Sequence, residues 1–194
     1  MIRITPTSRS LRHGLARDER GQGVVEFALI LPVFILILVG ILEFGSIYSH
    51  VLSMRQGVRE AGRQGSVANF GPAFSADCAS KPSPPSDDIQ RLICLAKSQS
   101  GVGDTVLVRV KFAKQDLTGA TDTDSSLYKA GNALIICAVY PLQSLTGMFQ
   151  PFLNGRNART KAAFRIEKLS AGGEGSEIAG GDTAPPSQDW AWCT

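Results

Sequence analysis

The stretch that decides the fold is RGQGVVEFALILPVFILILVGILEFG, residues 20–45. From Phe27 to Leu42 it contains no charged side chain. Counted from Val24 to Tyr48, the apolar segment is long enough to cross a hydrocarbon core of about 30 Å at about 1.5 Å of helical rise per residue. The sequence therefore predicts one membrane-spanning helix over residues 22–48.

A short basic segment precedes this helix. Residues 1–21 contain Asp18 and Glu19 but a larger number of arginines, namely Arg3, Arg9, Arg12, Arg17 and Arg20. Basic residues before a membrane helix favour a cytoplasmic amino terminus. Later arginines at 55, 59 and 63 weaken this orientation without reversing it. We expect a cytoplasmic leader over 1–21 and an extracytoplasmic domain after the helix.

A cleaved secretory signal is the alternative interpretation of the same segment. Its basic beginning fits a signal peptide, but the apolar run exceeds the usual core of about 7–15 residues. No A-x-A cleavage pattern follows near residues 45–50. The pattern therefore favours a retained single-pass anchor in the cell membrane.

An acidic residue lies where the apolar helix begins. Glu26 follows Gly21 by five positions, and a charged group within hydrocarbon costs about 2.5–3.5 kcal/mol on insertion scales. A cut after Gly21 would create an ammonium group on Gln22, one helical turn from Glu26, and the two charges would pair. The alternative is simpler, because the helix dipole favours any carboxylate in a first turn.

The stretches 21–32 and 40–45 resemble the TadE-like family, the minor pilins (pseudopilins) of tight-adherence, Flp-type pilus systems. The resemblance covers about residues 18–66, including the Arg- and Glu-containing stretch 55–63. It implies that a prepilin peptidase cleaves the Gly21–Gln22 bond and that Glu26 becomes the fifth mature residue. Glu26 and Phe27 are expected to serve in helix packing and assembly. Phe27 stands where major Flp pilins carry tyrosine, and the chain is far longer than those pilins, so the resemblance favours a minor pilin.

The remainder predicts a small α+β domain over residues 49–169. The first helix is expected to continue to about Val67 and to pack with its amphipathic half on a three-stranded antiparallel sheet, as in type IV pilins. A second helix is predicted at 89–97, and a short helix or turn at 145–152. The strands are predicted at 105–112, 133–140 and 159–168, the second being the most buried because it is uniformly apolar.

The cysteines favour disulfides in an oxidising compartment. They are Cys78, Cys94, Cys137 and Cys193, and none forms a C-x-x-C pair that would indicate zinc. Three pairings are open from sequence alone. We favour Cys78–Cys94, which closes a short loop, and Cys137–Cys193, which would hold the end of the chain.

Residues 170–194 are rich in Gly, Ser and Pro and predict a flexible tail. Its last residues include Trp190 and Trp192 beside Cys193. These indicate that the end of the tail docks on the domain. An exposed contact for a partner is the alternative.

Motifs of catalysis and nucleotide binding are missing from the sequence, which predicts neither an enzyme nor a cofactor or metal site. Asp116, Asp122 and Asp124 lie in a polar loop, where solvation is favoured over calcium binding. The weak net charge of +3 does not indicate nucleic acid binding. The expected partners are the membrane, the prepilin peptidase, other pilins and the pilus assembly platform. The alternative function is a stationary membrane scaffold or receptor whose outer domain binds an envelope partner.

Overall fold

The computed structural model describes residues 21–68, 88–169, 171–185 and 189–194. The chain divides between Ile41 and Leu42 into two compact units. Apart from Gly21, the predicted leader lies outside the described residues. The domain boundaries drawn from the sequence stay a prediction.

Helices and strands follow the order expected from the sequence. Helix α1 spans Gln22–Ser66, so its predicted end near residue 67 is confirmed. The other elements are α2 (Asp88–Gln99), β1 (Leu107–Ala113), β2 (Ala133–Pro141), α3 (Gln150–Leu153), β3 (Asn157–Arg165) and β4 (Gly180–Gly181).

The four strands form one antiparallel sheet in the order β3-β2-β1-β4. The predicted α+β class, with a long helix on an antiparallel sheet, is confirmed, but the predicted number of three strands is wrong. The fourth strand is Gly180–Gly181, which pairs with Arg109 and Val110 of β1. Gly181 has φ +145°, and a Cβ there would lie 2.3 Å from the carbonyl oxygen of Val108, so the close approach of this strand requires glycine.

Strand β2 is buried on both of its faces, as its uniformly apolar sequence predicted. On one face Leu134 and Ile136 belong to the main core, because side chains along a strand alternate between faces. Most of the rest of this core comes from α1 residues 42–66, from α2 and from β1. Its larger members are Met54, Val58, Leu92, Leu95, Val108, Val110 and Phe112.

The opposite face of the sheet is covered by residues 189–194. Ile135, Cys137 and Val139 of β2 form a second core with Trp190 and Cys193. The Cys137–Cys193 disulfide joins the two segments, which confirms this predicted pair and the predicted docking of the tryptophan-rich segment.

The covering segment is also held by polar contacts. The ammonium group of Lys111, which is buried on this face, donates a hydrogen bond to the carbonyl oxygen of Trp190 at 3.1 Å. Cys78 lies outside the described residues, so the Cys78–Cys94 pair stays a prediction. Residues 171–185, in the segment predicted as flexible, contribute β4 to the sheet.

Candidate functional site

The first half of α1 presents an apolar surface that no other part of the described chain covers. Its large apolar side chains between Val24 and Leu38 are 36–72% exposed. By length and composition, α1 is the one helix among the described residues that is able to cross a membrane. Folded proteins bury such surfaces, so a bilayer or neighbouring helices must cover this one.

The predicted processing bond lies where this helix begins. Gly21 directly precedes α1, Gln22 is its first residue, and both are exposed. Glu26 is also exposed and follows Gln22 by one turn, a rise of about 6 Å at 1.5 Å per residue. Phe27, next to Glu26, is exposed as well. The arrangement leaves the bond accessible, while its cleavage stays a prediction.

A second carboxylate, Glu43, is enclosed by a loop that is distant in sequence. The side chain is 1% exposed, although Glu43 directly follows the apolar run of α1. It accepts hydrogen bonds from the hydroxyl of Ser144 at 2.9 Å and from the backbone N–H groups of Leu145 at 2.8 Å and Thr146 at 2.6 Å. The hydroxyl of Thr146 donates a further bond. These donors replace water, which is the condition for burying a carboxylate.

The loop that encloses Glu43 is also closed on itself. The N–H of Ser144 donates to the side-chain oxygen of Gln150 at 2.9 Å, and the N–H of Gly147 donates to the hydroxyl of Ser144 at 2.9 Å. Sequence reasoning missed this contact, because Glu43 and Ser144 are 101 residues apart. The hydroxyl residues of the Ser-Leu-Thr-Gly stretch are the available signal, but they do not identify their partner.

A basic cleft of about 320 Å³ lies between α1 and β3. Arg55 and Arg59 of α1 and Arg159 and Lys161 of β3 line it. The guanidinium of Arg159 lies 5.5 Å from the ring centre of Trp192, and the ammonium of Lys161 donates to the carbonyl oxygen of Thr194. The docked segment 189–194 therefore holds the β3 side of the cleft in place.

Comparison with known proteins bears on α1. Residues 21–63 match the family model described as TadE-like protein. The match confirms the resemblance inferred from the sequence. No curated protein and no solved structure matches the chain.

The TadE-like match begins at Gly21, the residue before the predicted cleavage bond, and ends three residues before α1 does. It thus includes Glu26, Glu43 and the two arginines that α1 contributes to the basic cleft. The sheet and its covering segment lie beyond the match. The similarity to the TadE-like family is therefore confined to the helix.

His50, within the TadE-like segment, contacts the sheet. Its Nδ1 lies 3.1 Å from the hydroxyl of Tyr140, and the two rings meet edge to face with centres 5.5 Å apart. Burial raises the pKa of the Tyr140 hydroxyl, which stays protonated at neutral pH. The pair joins α1 to β2.

The acidic residues of the β1–β2 loop bind nearby donors: Asp122 binds Arg109 of β1, and Asp116 and Asp124 bind donors within the loop. Burial raises the pKa of the Asp122 carboxyl, but hydrogen bonds and charge from Arg109 outweigh this effect and leave the pKa below its usual value. Asp116 accepts from the N–H of Thr118 at 3.1 Å, and Asp124 from the N–H of Ser126 at 2.9 Å. Hydrogen bonds from these partners lower the pKa of both carboxyls. The described residues contain no group of three or more potential metal ligands.

Proposed function

We propose that this protein is a minor pilin (pseudopilin) of a tight-adherence, Flp-type pilus system and that it acts in pilus biogenesis through helix packing. The observation that carries the proposal is that α1 combines the TadE-like match with an uncovered apolar surface. The TadE-like match begins at Gly21, and the same helix exposes an uncovered apolar surface from Val24 onward. A helix of this kind needs a bilayer before assembly and neighbouring helices within an assembly.

The proposed topology is single-pass, with a cytoplasmic amino terminus and an extracytoplasmic domain. The arginines before α1 support it through the positive-inside rule. The Cys137–Cys193 disulfide supports it independently, because disulfides persist in oxidising compartments rather than in the cytosol. The proposed role involves no catalysis and no cofactor.

Glu26 has a specific part in the proposed assembly. Once a prepilin peptidase has cut the Gly21–Gln22 bond, the new ammonium group lies one helical turn from Glu26 in the same chain. In a bundle of pilin helices the same carboxylate can pair with the ammonium group of a neighbour. Either pairing offsets the cost of a charge at the edge of the hydrocarbon.

The test is the mass of the native protein, measured after purification from membranes of its host. Cleavage gives a chain that begins at Gln22, and Gly21→Leu should abolish the cleavage by placing a bulky side chain at the cut. Gly23→Ala, two residues away on the other side of the bond, is the matched control and should still be processed. An intact leader in the unsubstituted protein would contradict the pilin assignment and favour a stationary membrane scaffold.

A further inference from the structure

An uncharged and strongly apolar loop lies next to the enclosed Glu43. Residues 142–155 contain no charged side chain, and Arg156 follows them directly. Within this loop Leu145 is 71% exposed, Met148 55% and Phe152 75%. Large apolar side chains gathered this densely at the surface indicate a surface that is covered in the functioning protein.

The loop is tied to α1 where the apolar run of that helix ends. Phe44, which is 64% exposed, lies beside Phe149 with ring centres 6.2 Å apart. The bonds from Ser144, Leu145 and Thr146 to Glu43 hold the loop at the adjacent helical position. We call Phe44, Leu145, Met148, Phe149 and Phe152 the loop patch.

From this placement we propose that the loop patch inserts into the interfacial region of the same bilayer that α1 crosses, as a second membrane contact of the outer domain. The inference rests on the membrane anchoring contained in the proposed function. The composition fits such a contact: aromatic and aliphatic side chains on an uncharged loop, with an exposed arginine next to them to meet the phosphate groups.

The position of the loop patch favours lipid as the group that covers it. Phe44 continues in sequence from the exposed apolar run of α1, so a bilayer that covers this run extends to the helical position to which the loop is tied. The carboxylate of Glu43 would be costly at this depth, and the loop supplies donors that satisfy it. The loop thus shields the carboxylate of Glu43 while presenting apolar side chains outward.

Photo-crosslinking of the full chain tests the inference. The protein is reconstituted in nanodiscs of phosphatidylcholine and phosphatidylglycerol, with p-benzoylphenylalanine replacing a single residue in each sample. The test positions are Leu145 and Phe152. The positive control is Phe34, in the apolar run of α1. The negative control is Leu117, an exposed apolar residue in the β1–β2 loop, at the end of the sheet opposite to Pro141.

We expect mass spectrometry to detect lipid adducts at Leu145, Phe152 and Phe34, and none at Leu117. Lipid adducts at Phe34 without adducts at Leu145 and Phe152 would overturn the inference and leave the membrane anchor intact. Adducts to a second protein chain at Phe152, in place of lipid, would overturn it in favour of a protein interface. The absence of lipid adducts at Phe34 would refute the anchor itself, and with it both proposals.

Discussion

Replacement of both Cys137 and Cys193 by alanine should strongly destabilise the α+β domain. The bond closes a loop with a sequence separation of 56 residues. In the chain-entropy account, a closed loop of this size restricts the unfolded chain by about 4 kcal/mol at 25 °C. For a domain of this size, a loss of that magnitude lowers the melting temperature by about 8–16 °C.

Urea unfolding of the full chain in detergent micelles measures this loss. Trp190 and Trp192 lie in the segment that the disulfide holds, so their fluorescence reports its release, and far-UV circular dichroism reports the helices and sheet. With a slope of about 2 kcal/mol per molar urea, the midpoint should fall by about 2 M. Alanine at both Gln115 and Gln143, which are exposed, is the matched control and should change stability by less than about 0.5 kcal/mol.

A loss below about 1 kcal/mol in the double cysteine variant would refute the reasoning. It would mean that noncovalent contacts alone hold residues 189–194 on the sheet. It would also mean that the disulfide does not reduce the conformational entropy of the unfolded chain as the loop-closure account requires. Unfolding of the tryptophan signal well before the dichroism signal would show in addition that the segment detaches as a separate unit.

Three further predictions concern single residues. A Cβ at Gly57 would lie 2.7 Å from the Ala96 carbonyl oxygen, so Gly57→Ala should lower stability. A Cβ at Gly45 would meet open space, so Gly45→Ala should raise stability by up to about 1 kcal/mol through helix propensity. The melting temperatures of the two variants should therefore shift in opposite directions. Glu43→Gln should accelerate hydrogen exchange at the Thr146 amide, and unchanged exchange would contradict its role as acceptor. The pKa of Asp122 is lower in the folded state than in the unfolded state. The ionised carboxylate should therefore stabilise the folded protein above about pH 4, and this stabilisation should fade as the pH falls through the folded-state pKa. The melting-temperature difference between the wild type and Asp122→Asn should therefore shrink in acid, and a constant difference would contradict this.

Elements with a strong local pattern were predictable from the sequence. The apolar run and the preceding residues Gly21 and Glu26 predicted α1, because a helix that faces lipid must be apolar on all sides. Strand β2 was predictable because burial on both faces produces a continuous apolar run. The Cys137–Cys193 pair was also predicted, although the choice among three pairings depended on an argument about loops.

Elements that depend on distant partners were not predictable. Strand β4 consists of Gly180 and Gly181, which have no intrinsic preference for strands, and its position depends on β1. The burial of Glu43 depends on donors 101–103 residues away. The basic cleft forms because Arg159 of β3 comes to lie near Arg55 of α1, a proximity that neither segment encodes by itself.

In the proposed topology, the disulfide between β2 and residues 189–194 sets an order of events during export. With the amino-terminal helix inserted first, the thiol of Cys137 reaches the oxidising side before that of Cys193. Until Cys193 arrives, the face of β2 that carries Ile135, Cys137 and Val139 stays open to solvent, and the thiol of Cys137 is available to other cysteines. In that topology the second core, which needs Trp190 and Cys193, closes only after residues 189–194 have followed β2 across the membrane.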